Sequence, residues 1–141
     1  MKKQKKNPLY KSFRYAFEGI IAGIKKERNM KIHCTAMVLV IAAGIILKLS
    51  VTEWCICLVL FGMILALEMV NTAIEAVVDL VTEEYRPLAK LAKDTAAGAV
   101  LIASIMAAGA GILIGNFYIM DSSSVFSSSL SLSLVLFISS L

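Results

Sequence analysis

Residues 32–49 form an apolar run of eighteen, interrupted only by Thr35, Gly44 and Lys48, with His33 at its start. A helix needs about 20 such residues to cross the hydrocarbon core of a bilayer, so this run is just long enough to span. After a short polar turn, Trp54 supplies an interfacial anchor and residues 54–67 are apolar or small throughout, in a helical pattern that continues to residue 81. A third apolar stretch, rich in Ala and Gly, occupies residues 93–119. Small residues recur there at Ala107, Gly111 and Gly115, a spacing that predicts close helix approach in lipid. With 59% hydrophobic residues the chain is more apolar than a soluble domain, in which about half are, and the excess requires lipid. The fold class that follows is an all-α integral membrane protein with spans at 32–49, 54–81 and 93–119.

Charge is distributed as unevenly as hydrophobicity. Ten of the fourteen Lys and Arg residues precede residue 32, and the other four are Lys48, Arg86, Lys90 and Lys93. Within residues 8–31 the apolar positions Leu9, Phe13, Phe17, Ile20, Ile21 and Ile24 recur at three- and four-residue steps, with Lys11, Arg14, Glu18 and Lys25 off that stripe. This pattern predicts an amphipathic helix lying on a membrane surface against anionic lipid headgroups. The excess of basic residues places the N-terminus in the cytoplasm. The 82–91 connection then also lies there, with Arg86, Lys90 and Lys93 in agreement. No basic stripe alternates with exposed aromatic residues, which argues against nucleic acid as a partner despite the net charge of +4. Cys34, Cys55 and Cys57 are odd in number and sit among apolar residues, so they read as small buried hydrophobes rather than disulfide or zinc ligands. The basic N-terminal region lacks a small-residue cleavage site and is expected to be retained. Residues 1–121 are thus expected to form one membrane domain. Residues 122–141 form a Ser/Leu-rich low-complexity tail, whose apolar end is shorter than a fourth span requires.

The chemistry lies in the second span. Glu68, Asn71, Thr72, Glu75 and Asp79 fall within an arc of about 100° when each residue advances the helix by about 100°, and Glu68 and Glu75 are about 10 Å apart along the axis. A single ionised carboxylate inside a bilayer costs from about 2.5 kcal/mol upward, so several on one face imply a metal, a cation or a proton as partner. A seam of protonated, hydrogen-bonded carboxylates between packed helices is the plainer alternative. No glycine-rich phosphate loop is present, so any phosphate binding has to rest on metal, Lys and Asn groups. Lys93 and Asp94 alone read as a solvated pair at a helix start, and His33 as an interfacial contact.

The segment Glu68-Met-Val-Asn-Thr-Ala-Ile-Glu-Ala-Val-Val-Asp79, followed by Glu84-Tyr85 and Ala92-Lys-Asp94, resembles the prokaryotic diacylglycerol kinase family, which includes the undecaprenol kinases of Gram-positive bacteria. The likeness extends to Ser12-Phe13, Ala16-Phe-Glu-Gly19 and Glu27-Arg-Asn29, and covers about residues 10–118. The resemblance implies a homotrimer in the bacterial plasma membrane, with active sites between neighbouring subunits on the cytoplasmic side. It also implies ATP as phosphoryl donor, Mg²⁺ as cofactor and a membrane lipid alcohol as substrate. By the same correspondence Glu68 is the general base at the lipid hydroxyl, and Glu27 and Glu75 hold the metal. Asn71, Lys93 and Asp94 contact nucleotide or orient the site, and Tyr15 with Glu84, Tyr85 and Arg86 lines the nucleotide pocket. The family's arginine near the start of the surface helix has no counterpart in register, where Pro8 stands.

The resemblance to the Gram-positive branch, carried by Ala16-Phe-Glu-Gly19 and Glu27-Arg-Asn-Met-Lys-Ile-His33, favours undecaprenol over diacylglycerol as acceptor; periodicity and spacing do not separate the two. An ion-coupled carrier is the reading from a different class. It would need ionisable groups along the whole span, and residues 54–67 contain none.

Overall fold

The computed structural model describes the backbone of residues 9–139 and the side chains of residues 9–121. It consists of four helices: α1 (Leu9–Lys26), α2 (Arg28–Leu47), α3 (Val51–Val81) and α4 (Pro87–Ser139). Three of them, α2, α3 and the Pro87–Asp121 part of α4, are long and apolar enough to cross a membrane. The described residues therefore match the all-helical, three-span expectation. Most large apolar side chains point outward, as they do when lipid rather than a protein core is their solvent.

The helix ends differ from the hydropathy pattern in ways that have local causes. The amphipathic helix stops at Lys26 rather than continuing to residue 31. Glu27 is extended (φ −87°, ψ 128°) and serves as N-cap of α2 without any side-chain cap bond, a junction that leaves no capping signature in the sequence. Pro8, the expected first residue of that helix, lies outside the described residues. At the other end of α2, Lys48 adopts the left-handed conformation (φ 57°, ψ 50°). There the Leu49 N–H donates to the Gly44 carbonyl at 3.0 Å, closing the helix with a tight reversal. Ser50 then starts α3 through a reciprocal capping box with Glu53, which pulls the helix start three residues ahead of Trp54. Thr82 ends α3 in extended conformation, and Pro87 opens α4 at the first helical position, where its missing N–H costs nothing. The backbone of α4 runs on as helix to Ser139, into the segment expected to be a separate tail; the side chains there lie outside the described residues.

The spans run up, down and up. The Tyr118 hydroxyl, far along α4, donates to Glu53 Oε2 at 2.9 Å, so the outer turn of α4 sits beside the α2–α3 reversal. The opposite end of the bundle therefore gathers α1, the Glu27 break, the last half of α3 and the start of α4. The small core is built from Met30, Cys57, Ile64, Ala96, Val100 and Ala103, together with two polar residues, Glu68 and Asn71. Close approach of α4 to α3 thus falls at Ala96, Val100 and Ala103 rather than at the later small-residue stripe. A Cβ built on Gly111 or Gly115 would meet nothing within 4 Å. Within one chain Ala107 and Gly111 instead border an apolar cleft between α2, α3 and α4, whose walls include His33, Cys57 and Ile64.

Candidate active site

Helical spacing puts Glu68, Asn71, Thr72, Glu75 and Asp79 on one inward face of α3; the first four are buried or partly buried, whereas Asp79, at the end of the helix, is exposed. Glu68 is 2% exposed and Asn71 5%. The Asn71 Nδ2 donates to Glu75 Oε1 at 3.1 Å, and the Thr72 hydroxyl donates to the backbone carbonyl of Glu68 at 3.0 Å. Among the described residues neither Glu68 Oε2 nor Asn71 Oδ1 has a hydrogen-bond partner, although both are buried. A buried acceptor left without a donor costs about 1–3 kcal/mol, and two within one turn form a place prepared to receive a donor.

Two further carboxylates stand on the elements packed about Glu68: Glu27 at the α1–α2 break and Glu75 two turns on along α3. Glu27 is only partly exposed and has the Lys26 ammonium 3.8 Å away. The break at Glu27 is held in place by packing: Met30 is buried, and Gly23, one turn before the break, lies against the Met69 side chain beside Glu68.

A second group forms at the α3–α4 connection. Glu84, Tyr85, Arg86, Lys93 and Asp94 border one polar cleft of about 340 Å³, together with Asp79, Thr82 and Lys90. The Thr82 hydroxyl accepts from the Glu84 N–H at 3.1 Å, and Arg86 pairs with Glu84 at 3.3 Å, so the turn is ordered by its own side chains. Lys90 pairs with Asp94 along α4. Lys93 crosses to α3, where its Nζ lies 2.5 Å from Asp79 Oδ1, one turn after Glu75. Lys93 thus links the cleft to the face of α3 that carries Glu75.

The structure therefore gathers nine of the ten sequence-predicted site residues into these two adjoining groups. The exception is Tyr15. It is half exposed on α1, under the Arg14 guanidinium at 5.3 Å from its ring centroid, and makes no hydrogen bond to the other nine. One residue that had no site role in the sequence reading stands inside the groups: Asp79 belongs to the polar stripe one turn after Glu75, a signal present in the spacing. His33 borders the apolar cleft beside Cys57 and Ile64 instead.

Among the described residues no three His, Cys, Asp or Glu side chains converge into a metal cage. The two carboxylates Glu27 and Glu75 are nevertheless a donor set suited to Mg²⁺, which is ordinarily held by one or two carboxylates with phosphate oxygens and water completing its shell.

A helical chain with three helices long and apolar enough to cross a membrane, and with one carboxylate, Glu68, buried among them, is built as an integral-membrane protein. Residues 14–115 match the family model of prokaryotic diacylglycerol kinase. The chain is 44% identical over 108 residues to undecaprenol kinase of Bacillus subtilis (strain 168), covering 77% of this chain and 88% of that protein. It is 44% identical over 100 residues to diacylglycerol kinase of Synechocystis sp., covering 70% of this chain and 57% of that protein. With diacylglycerol kinase of Escherichia coli (strain K12) it shares 30% identity over 99 residues, 70% of this chain and 81% of the relative. The chain belongs to the prokaryotic diacylglycerol kinase family, and it is a membrane lipid kinase with ATP as phosphoryl donor.

Proposed function

We propose that this kinase phosphorylates undecaprenol to undecaprenyl phosphate, with Glu68 as general base, in a homotrimer whose active sites face the cytoplasm. The observation that carries the chemistry is the buried, unengaged Oε2 of Glu68. A lipid hydroxyl entering from the bilayer donates its hydrogen bond there. As the hydroxyl oxygen attacks the γ-phosphorus and the bond to the β-phosphate oxygen breaks, its proton passes to Glu68 and ADP leaves.

The other residues position and neutralise. Asn71 holds Glu75 from the same face of α3. Glu27 and Glu75 hold Mg²⁺, which when bound offsets the negative charge of the phosphates. Lys93 adds a positive charge between the carboxylates and the polar cleft, where Glu84, Tyr85, Arg86 and Asp94 receive the nucleotide. Tyr15 joins this pocket by swinging from its stacked position or by serving a neighbouring subunit. The basic N-terminal third supports the cytoplasmic orientation, because Lys and Arg concentrate on that side of a bacterial membrane. The surface helix then rests on anionic headgroups.

Undecaprenol is favoured by the relative that combines 44% identity with coverage of 88% of its own length. Diacylglycerol is the second reading, supported by an equally identical relative of which the chain spans about half. The test is γ-phosphoryl transfer from labelled ATP and Mg²⁺ by the purified chain in mixed micelles, with both alcohols at equal mole fraction. Preferential labelling of undecaprenol is the expected result; preferential labelling of diacylglycerol overturns the acceptor assignment.

A further inference from the structure

The ion pairs among the described residues differ in what they join. Arg14–Glu18 and Lys90–Asp94 stay within one helix, Lys26–Glu27 joins chain neighbours at the α1–α2 break and Arg86–Glu84 stays within the connection, whereas Lys93–Asp79 ties α4 to α3. Its place is specific: Asp79 and Lys93 both border the polar cleft, and Glu75 stands one turn before Asp79 on the same face of α3. Lys90, three residues before Lys93, is already paired with Asp94 and does not compete for Asp79. A lysine is a point charge on a flexible four-carbon stem, so it stabilises a developing phosphoryl charge well only where something holds it still.

We propose that Asp79 is a positioning residue for phosphoryl transfer, fixing the Lys93 ammonium at the junction between the nucleotide cleft and the Glu68–Glu75 face. One of the three ammonium protons engages Asp79 and the other two remain for phosphate oxygens, so nucleotide binding does not require the pair to break. Asp79 itself is 65% side-chain exposed and Lys93 37%, which suits a guide at a pocket mouth rather than a buried structural pair. This inference rests on the lipid-kinase reading of Lys93 as a phosphate contact.

The test compares Asp79→Ala and Asp79→Asn with the unaltered full chain in mixed micelles, measuring kcat and KM for ATP and for the lipid alcohol. Binding of a fluorescent ATP analogue and the thermal midpoint are measured beside them. The expected result for Asp79→Ala is a fall of about tenfold in kcat/KM for ATP and weaker analogue binding. The lipid KM and the midpoint stay unchanged. Asp79→Asn, whose amide oxygen still accepts from Lys93, recovers much of the loss and serves as the informative variant if the alanine form does not fold. An Asp79→Ala enzyme with the original ATP parameters and analogue affinity overturns the proposal. So does a loss shared equally by both substrates with a lowered midpoint and no recovery in Asp79→Asn. If the unaltered chain phosphorylates no lipid alcohol, the failure belongs to the lipid-kinase reading, and the analogue-binding comparison still decides whether Asp79 governs the nucleotide site.

Discussion

Asn71 donates to Glu75 across one turn of α3 at 3.1 Å while its own Oδ1 remains without a partner, so one amide orients a carboxylate and keeps an acceptor in reserve. The bond engages one of the two Glu75 carboxylate oxygens, Oε1. Asn71→Ala is expected to release Glu75, raising the Mg²⁺ concentration for half-maximal rate and lowering kcat/KM for ATP by about tenfold, roughly one lost charge-assisted bond. A Mg²⁺ titration of initial rates checks this. An unaltered Mg²⁺ requirement would leave Asn71 with a packing role only.

Glu68→Gln keeps the volume and burial of the side chain while removing its capacity to take a proton. Turnover is expected to fall by at least about 10²-fold, the usual contribution of a positioned general base, with ATP binding and the thermal midpoint retained. Full phosphoryl transfer by this variant would remove Glu68 from the proton path.

Much of this architecture was legible before any coordinates. The spans could be read because lipid demands long apolar runs. The site could be read because a polar stripe inside such a run has few explanations other than function, and the family likeness then gave each residue an expected role. Two features escaped. The Glu27 break carries no capping signature. The Lys93–Asp79 pair depends on how α4 packs against α3, which does not follow from one helix's periodicity. The small-residue stripe at Ala107, Gly111 and Gly115 predicts close helix approach in lipid; within one chain the buried positions of α4 are Ala96, Val100 and Ala103.

The docking of α1 offers a test that separates tight contact from rigid contact. A Cβ on Gly23 would stand 2.8 Å from Met69 Sδ, the far end of a flexible side chain that can move aside. Gly23→Ala is therefore expected to be close to neutral, the shift of Met69 being offset by up to about 1 kcal/mol of helix propensity. Gly23→Leu adds three further carbons at the same point and is expected to lift α1, displacing Glu27 from the site. Its ATP kinetics should deteriorate at an unchanged thermal midpoint of the three spans. Equal activity of the alanine and leucine variants would show that α1 docking does not govern the site.

Gly44 presents the opposite case, because what surrounds it cannot yield. A Cβ there would lie 2.9 Å from Trp54 Cη2, 3.0 Å from Cζ2 and 2.9 Å from Leu49 Cδ1, and an indole ring has no flexible end to withdraw. The same residue's carbonyl accepts the Leu49 N–H that closes α2, so a shift of the backbone would loosen the reversal as well. Overpacking of this kind costs about 1–3 kcal/mol, more than the helix-propensity gain of up to about 1 kcal/mol that alanine brings. Gly44→Ala is accordingly expected to lower the thermal midpoint in micelles. The site stays intact, since Gly44 and the first residue of α2 are separated by about 24 Å of helix at 1.5 Å per residue. Trp54→Phe, which removes both clashing ring atoms, is expected to recover part of the lost midpoint when combined with Gly44→Ala. A double variant no more stable than the sum of the two single changes would mean that the indole is not what holds α2 and α3 at this distance.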